Sequence, residues 1–135
     1  MPGELIGEFR GKTAGQRVLE ILPTGPKMEI TFRQNGKLLG IDAFDIATYW
    51  SVMTLPDVMY GEGQGTVMSK GGEMAMYRAT GTMKMEKKGP MGVWRGVLYM
   101  QSPTPKWGAL NGKAIAYEYE MDEDENTHVK LWEVK

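Results

Sequence analysis

The chain has 135 residues, no cysteine, and 16 basic against 17 acidic side chains, a formal net charge of −1. That length reads as one domain, residues 1–135, large enough to bury a core unaided, and without thiols it can hold neither disulfides nor a thiolate metal centre. Acids and bases are interspersed, so no phosphate-tracking stripe recommends a nucleic-acid partner, and no run of about 18 apolar residues provides a membrane span.

The N-terminal MPGELIGEFRGK lacks the basic-then-apolar pattern of a secretion signal, which leaves the cytoplasm as the expected location. Within it, Gly7-Glu8-Phe9-Arg10-Gly11-Lys12-Thr13 resembles a phosphate-binding P-loop. It has one residue too few between its glycines and no convincing helix after it, so it reads as a strand ending in a turn. Residues 14–22, AGQRVLEIL, fit a short helix about as well as a strand. Asn35-Gly36, between MEITFR and KLLGI, is a strong hairpin-turn signal. In the stretch 45–53, Ile46, Trp50 and Val52 share one face and Tyr49 and Met53 the other, so neither face reads as solvent.

Gly61-Glu62-Gly63-Gln64-Gly65 resembles a dinucleotide-binding glycine loop, but its last glycine comes one residue early and no helix follows. It reads as a strand that admits close approach by another strand or a ligand, with Tyr60, Glu62 and Gln64 on one face. Gly71-Gly72 predicts the next turn. After it, Ala75, Tyr77, Ala79, Gly81, Met83 and Met85 alternate against Met74, Met76, Arg78, Thr80, Thr82 and Lys84. Lys88-Gly89-Pro90 predicts a further turn, followed by Trp94, Gly96, Leu98 and Met100 opposite Val93, Arg95, Val97 and Tyr99. Residues 106–112, KWGALNG, show no strand pattern and read as a loop over one barrel mouth. Ile115, Tyr117, Tyr119 and Met121 then line one face of another strand.

The acidic run that follows places Asp122, Asp124, Asn126, His128, Lys130 and Glu133 at the ligand spacing of an EF-hand loop. Thr127 stands where that loop needs glycine, and the flanks alternate as strands, so the run reads as a solvated turn. His128 is the only histidine, which excludes a multi-histidine metal site, and no serine sits in a nucleophile elbow. No metal and no cofactor are expected.

These segments predict an all-β domain: a closed antiparallel, up-and-down-like barrel of about eight strands, with a β-sandwich as the alternative. Small and large residues alternate on the predicted inner faces, and glycines recur inside strands, both of which favour the barrel. The apolar residues on outer faces require a cover, either the N-terminal segment or a second subunit that would make the protein a homo-oligomer.

The segments TYWS (48–51), YGEGQG (60–65), GEMA (72–75), WRGVLY (94–99) and VKLWE (129–133) together resemble an uncharacterised family of small prokaryotic β-barrel proteins. That family is similar in architecture to allene oxide cyclase and the lipocalin-like calycins. The resemblance implies a closed barrel with a central cavity and implies no established activity, and no catalytic pattern of allene oxide cyclase maps onto these residues.

The leading functional expectation is a barrel that binds a small apolar ligand, lined by Met, Tyr and Trp side chains. Trp50, Tyr60, Glu62, Gln64, Tyr77, Arg95 and Tyr117 are the candidate ligand-binding residues, with Glu62, Gln64 and Arg95 as polar anchors. A cyclase- or isomerase-like enzyme would use Glu62 as its general acid or base. A filled barrel serving oligomerisation is the third reading.

Overall fold

The computed structural model describes residues 3–85 and 92–134. Its eight strands run in chain order round a closed antiparallel barrel: β1 (Leu5–Leu22), β2 (Gly25–Leu38), β3 (Ile41–Leu55), β4 (Val58–Met68), β5 (Met74–Lys84), β6 (Trp94–Gln101), β7 (Ala114–Met121) and β8 (Asn126–Glu133). Closure of β8 onto β1 decides for the barrel over the sandwich and removes the free edges an open sheet would leave. The turn expected at Lys88-Gly89-Pro90 lies outside the described residues. No helix among the described residues is long and apolar enough to cross a membrane.

Residues 14–22 are strand, not helix. They form the far half of β1, which pairs with β8 only as far as Lys12 and Asn126, then continues beside β2 to Leu22 and Gly25. The β1–β2 register shifts between Thr13 and Gly15 and again between Val18 and Glu20. Each shift is a bulge that inserts one residue and reverses the alternation. The broken period is what gave Val18, Leu19, Ile21 and Leu22 their helix-like spacing.

The hairpin signal at Asn35-Gly36 is also overridden. Both residues lie inside β2, paired with Phe44 and Ala43 of β3, and the chain reverses four residues later at Leu39 and Gly40 (φ 49° and 79°). Sterics explain the choice. A Cβ on Gly36 would sit 1.9 Å from the Glu8 carbonyl oxygen, so β1 and β2 approach there more closely than any other residue allows. The turns expected at Gly71-Gly72 and at Asp122–Asn126 are present.

Pairs of large and small residues fill the interior. Trp94 lies against Gly61, the Tyr77 ring against Gly65 and the Tyr117 hydroxyl against Gly81, with hypothetical Cβ atoms 3.1, 2.5 and 2.2 Å from those groups. Gly61, Gly65 and Gly81 are therefore seats for rings carried by other strands, Tyr77 from the adjacent β5 and Trp94 and Tyr117 from one strand further away. The predicted loop at 106–112 begins as a 3-10 turn, Pro105–Leu110. Its Trp107 is 0% exposed in the core cluster, and its indole Nε1 donates to the Leu38 carbonyl at 3.1 Å. This ties the segment to the barrel end where β2 turns into β3.

Candidate functional site

A polar side chain inside an apolar barrel costs free energy unless it is hydrogen-bonded. Asp45 of β3 is such a group, 4% exposed, and it sits in a chain of bonds that crosses the interior. Thr127 Oγ1 of β8 donates to Gln34 Oε1 at 2.8 Å, Gln34 Nε2 donates to Asp45 Oδ2 at 3.0 Å, and the Tyr77 hydroxyl donates to Asp45 Oδ1 at 2.9 Å. Two glycines open this path. Gly11 of β1 is the cross-strand partner of both Gln34 and Thr127, and Gly65 of β4 is the partner of both Ala47 and Tyr77. With no side chain at either position, groups on β8 and β2, and on β5 and β3, meet across the intervening strand.

The carboxyl faces a cavity of about 70 Å³. The cavity is walled by Phe32, Tyr49, Trp94, Tyr117 and Tyr119 together with Leu98 and Met100. Tyr49 is the hub of the aromatic group: its ring centroid lies 6.2 Å from Phe32, 5.8 Å from Trp94 and 5.5 Å from Tyr119. Phe32 and Tyr119 stack at 5.1 Å. The Tyr49 and Tyr119 hydroxyls lie 3.2 Å apart, and the Tyr117 hydroxyl donates to the Thr80 carbonyl at 3.1 Å.

Burial governs the ionisation of these groups. It pushes the Asp45 carboxyl up to about 6, against the lowering influence of the Gln34 and Tyr77 hydrogen bonds. It pushes the Tyr49 and Tyr117 phenols up to about 12 and raises Tyr119 further. Tyr77 is raised by burial and then by the neighbouring Asp45 charge. No Lys, Arg or His lines the cavity among the described residues.

The structure divides the seven residues predicted to bind ligand. Tyr77 and Tyr117 line the cavity. Glu62 and Gln64 border it as well, whereas Trp50, Tyr60 and Arg95 do not. Alternation with the inward-facing Gly61, Gly63 and Gly65 turns Glu62 and Gln64 outward, so what they present to the cavity is main chain. Glu62 instead accepts the Tyr60 hydroxyl at 2.6 Å on the exposed surface, and that bond raises the Tyr60 phenol. Trp50 packs edge-on against Tyr60 at 5.7 Å and under the Lys27 ammonium at 4.5 Å. Gln64 borders an open outer concavity with Met76, Arg78 and Tyr99. Arg95 pairs with Glu118 through Nε at 2.9 Å, also outside. Glu62 and Arg95 thus bond to Tyr60 and Glu118 and not to each other.

The remaining sequence motifs resolve simply. The P-loop-like segment lies within β1, and the EF-hand-like run is the β7–β8 turn. There the Asp122 carboxylate accepts the backbone N–H groups of Asp124 and Asn126 and the Asn126 amide, contacts that hold it below the usual carboxylate range. His128 lies in β8, which is paired on both sides and is therefore no edge strand. Its Nε2 lies 2.6 Å from Glu8 Oε2 on the outer face, and this bond lowers the Glu8 carboxyl. Asp45 and Gln34 were not singled out by sequence reasoning. Their signal was available: each is a polar residue at an in-phase core position, Asp45 between Ala43 and Ala47, and Gln34 between Phe32 and Gly36.

A closed eight-stranded antiparallel barrel with a small carboxyl-bearing interior defines the class of this protein. Among solved structures it is similar to a protein of unknown function from Clostridium acetobutylicum, with a TM-score of 0.85 at 9% identity over 100% of both chains. A conserved protein of unknown function from Rhodopseudomonas palustris matches with a TM-score of 0.82 at 11% identity, covering 98% of this chain and 96% of the other. A beta-barrel like protein from Acinetobacter baumannii gives 0.81 at 11% identity, covering 98% and 94%. No protein-family model matches the sequence. No curated protein matches it either. The likeness to uncharacterised barrels expected from the sequence holds at the level of fold, and these structures do not carry the further likeness to allene oxide cyclase.

Proposed function

We propose that the protein binds a small molecule inside the barrel, against Asp45 and the aromatic group centred on Tyr49. One observation carries this reading: a space of about 70 Å³, bordered by the buried Asp45 carboxyl and lined mainly by rings and aliphatic groups, with Thr48, Glu62 and Gln64 also on its border. Drug-sized ligands occupy roughly 300–1,000 Å³. At roughly 10–15 Å³ per water-sized occupant, the cavity admits a molecule of about six heavy atoms. The ligand is therefore smaller than the lipid-like molecules a wide barrel would hold.

The test is ligand-observed NMR with a set of fragments of that size, run on the native protein and on Ala79→Leu. Ala79 lines the cavity, and leucine there adds three carbons to it. The reading expects fragments whose binding disappears in Ala79→Leu. Binding that is absent throughout, or indifferent to that substitution, contradicts it.

The same carboxyl supports a second reading, acid–base chemistry on the bound molecule. A group titrating near neutrality is matched to proton transfer at physiological pH. Asp45 takes the part first given to Glu62, whose side chain lies outside. Conversion of a bound fragment that persists in Asp45→Asn would dismiss this reading.

A further inference from the structure

The chemistry of the cavity wall restricts what it can recognise. An ionised carboxylate has about four lone-pair sites, and Gln34 and Tyr77 use two of Asp45's. Tyr77 and Tyr117 spend their hydroxyl hydrogens on acceptors of the protein itself. The cavity has no cationic side chain among the described residues, because the expected cation, Arg95, is paired outside with Glu118. An anionic ligand would meet like charge there. What remains on offer is spare acceptor capacity on one carboxylate and one hydroxyl hydrogen of the Tyr49–Tyr119 pair, set among the rings of Phe32, Tyr49, Trp94 and Tyr119. Aromatic faces carry negative quadrupole charge and attract cations within about 6 Å of the ring centroid. A buried carboxylate without a cationic partner is unfavourable, and a bound cation supplies that partner.

We propose that the cavity selects a small organic ammonium ion, its charged end toward Asp45 and its carbon groups against the rings around Tyr49. The inference rests on the small-molecule reading above and names the class of ligand. Size agrees with it: trimethylammonium, with four heavy atoms, falls within the limit of about six.

The test compares trimethylammonium with tert-butanol, a neutral molecule of similar shape, by calorimetry or NMR titration. At about pH 8 the ammonium is expected to bind about tenfold more tightly, the equivalent of about 1.4 kcal/mol. The preference should fall toward parity near pH 5, where Asp45 takes up a proton. Gln34 and Thr127, which share its network, do not titrate. Tyr49, Tyr77, Tyr117 and Tyr119 are all raised above their ordinary value and stay neutral across that range. In Asp45→Asn the preference should vanish while tert-butanol binding persists. If that variant does not fold, the pH dependence of the native protein carries the same test. Equal or tighter binding of tert-butanol at pH 8 overturns the ammonium inference and leaves the small-molecule reading standing. Failure of both probes to bind overturns the two together.

Discussion

The Tyr77 hydroxyl on β5 donates to the Asp45 carboxylate on β3 at 2.9 Å, reaching across β4 at Gly65. A Cβ on Gly65 would lie 2.5 Å from both the Tyr77 Cζ and hydroxyl oxygen, and 2.8 Å from the Ala47 Cβ. Gly65→Ala therefore has to displace the ring and break the bond. It should destabilise by about 1–3 kcal/mol, the usual cost of overpacking a filled core. Gly15→Ala is the control, because nothing lies within 4 Å of its Cβ position. Urea unfolding should place it within about 0.5 kcal/mol of the native protein.

The Asp45 carboxyl makes stability depend on pH in the direction opposite to the usual salt-bridged aspartate. Its value rises from 3.8 to about 6 on folding. Between those limits the folded state holds a proton that the unfolded state has released, so stability falls as pH rises through that window. Above it both states are ionised and the effect is constant, at about 3 kcal/mol. The lowered carboxyls of Glu8 and Asp122 act the other way and weaken the protein in acid. Subtracting the Asp45→Asn curve isolates the term. From about pH 4 to about pH 7 the native protein should lose roughly 3 kcal/mol relative to the variant. A difference flat across that range would refute the account of Asp45.

Trp107 closes its end of the barrel with a fully buried indole and one hydrogen bond to the Leu38 carbonyl. Trp107→Ala should cost about 3–5 kcal/mol in denaturant unfolding. Trp107→Phe keeps most of the apolar contact but leaves that carbonyl without its donor, and should cost about 1–3 kcal/mol. Equal losses for the two would mean that the hydrogen bond dominates and the packing contributes little.

The outward placement of Glu62 and Arg95 makes them separable from the cavity. Arg95 forms an exposed pair with Glu118, of a kind worth about 0–1 kcal/mol. Glu62→Gln and Arg95→Met should each shift the unfolding midpoint by less than about 1 kcal/mol and leave fragment binding unchanged. A loss of binding in either would return these residues to the site.

The sequence was most informative where burial alone sets the pattern. Ala75 to Met83 in β5 and Ile115 to Met121 in β7 were readable as inner faces because each inward residue is apolar or small. In β3 and β4 the same rule misled. Trp50 and Tyr60 have the bulk of core residues, while the true inner face of β4 is Gly61, Gly63 and Gly65. That face looks empty only because its contents, Trp94 and Tyr77, arrive from other strands. The Asp45 site was hidden for the same reason. Its hydrogen-bond partners lie 11 and 32 residues away, and a lone aspartate in a strand carries no local mark of a partner. At Asn35-Gly36 a favourable turn pair yielded to a close crossing with β1, a contact that local spacing does not encode.

A carbon-detected NMR titration of the Asp45 side chain bears most directly on all of this. A carboxyl shut inside the barrel, facing rings and no cation, should titrate with a midpoint near 6. A midpoint near 4, as for an aspartate in water, would mean that the carboxyl is solvated and that the enclosed site does not exist.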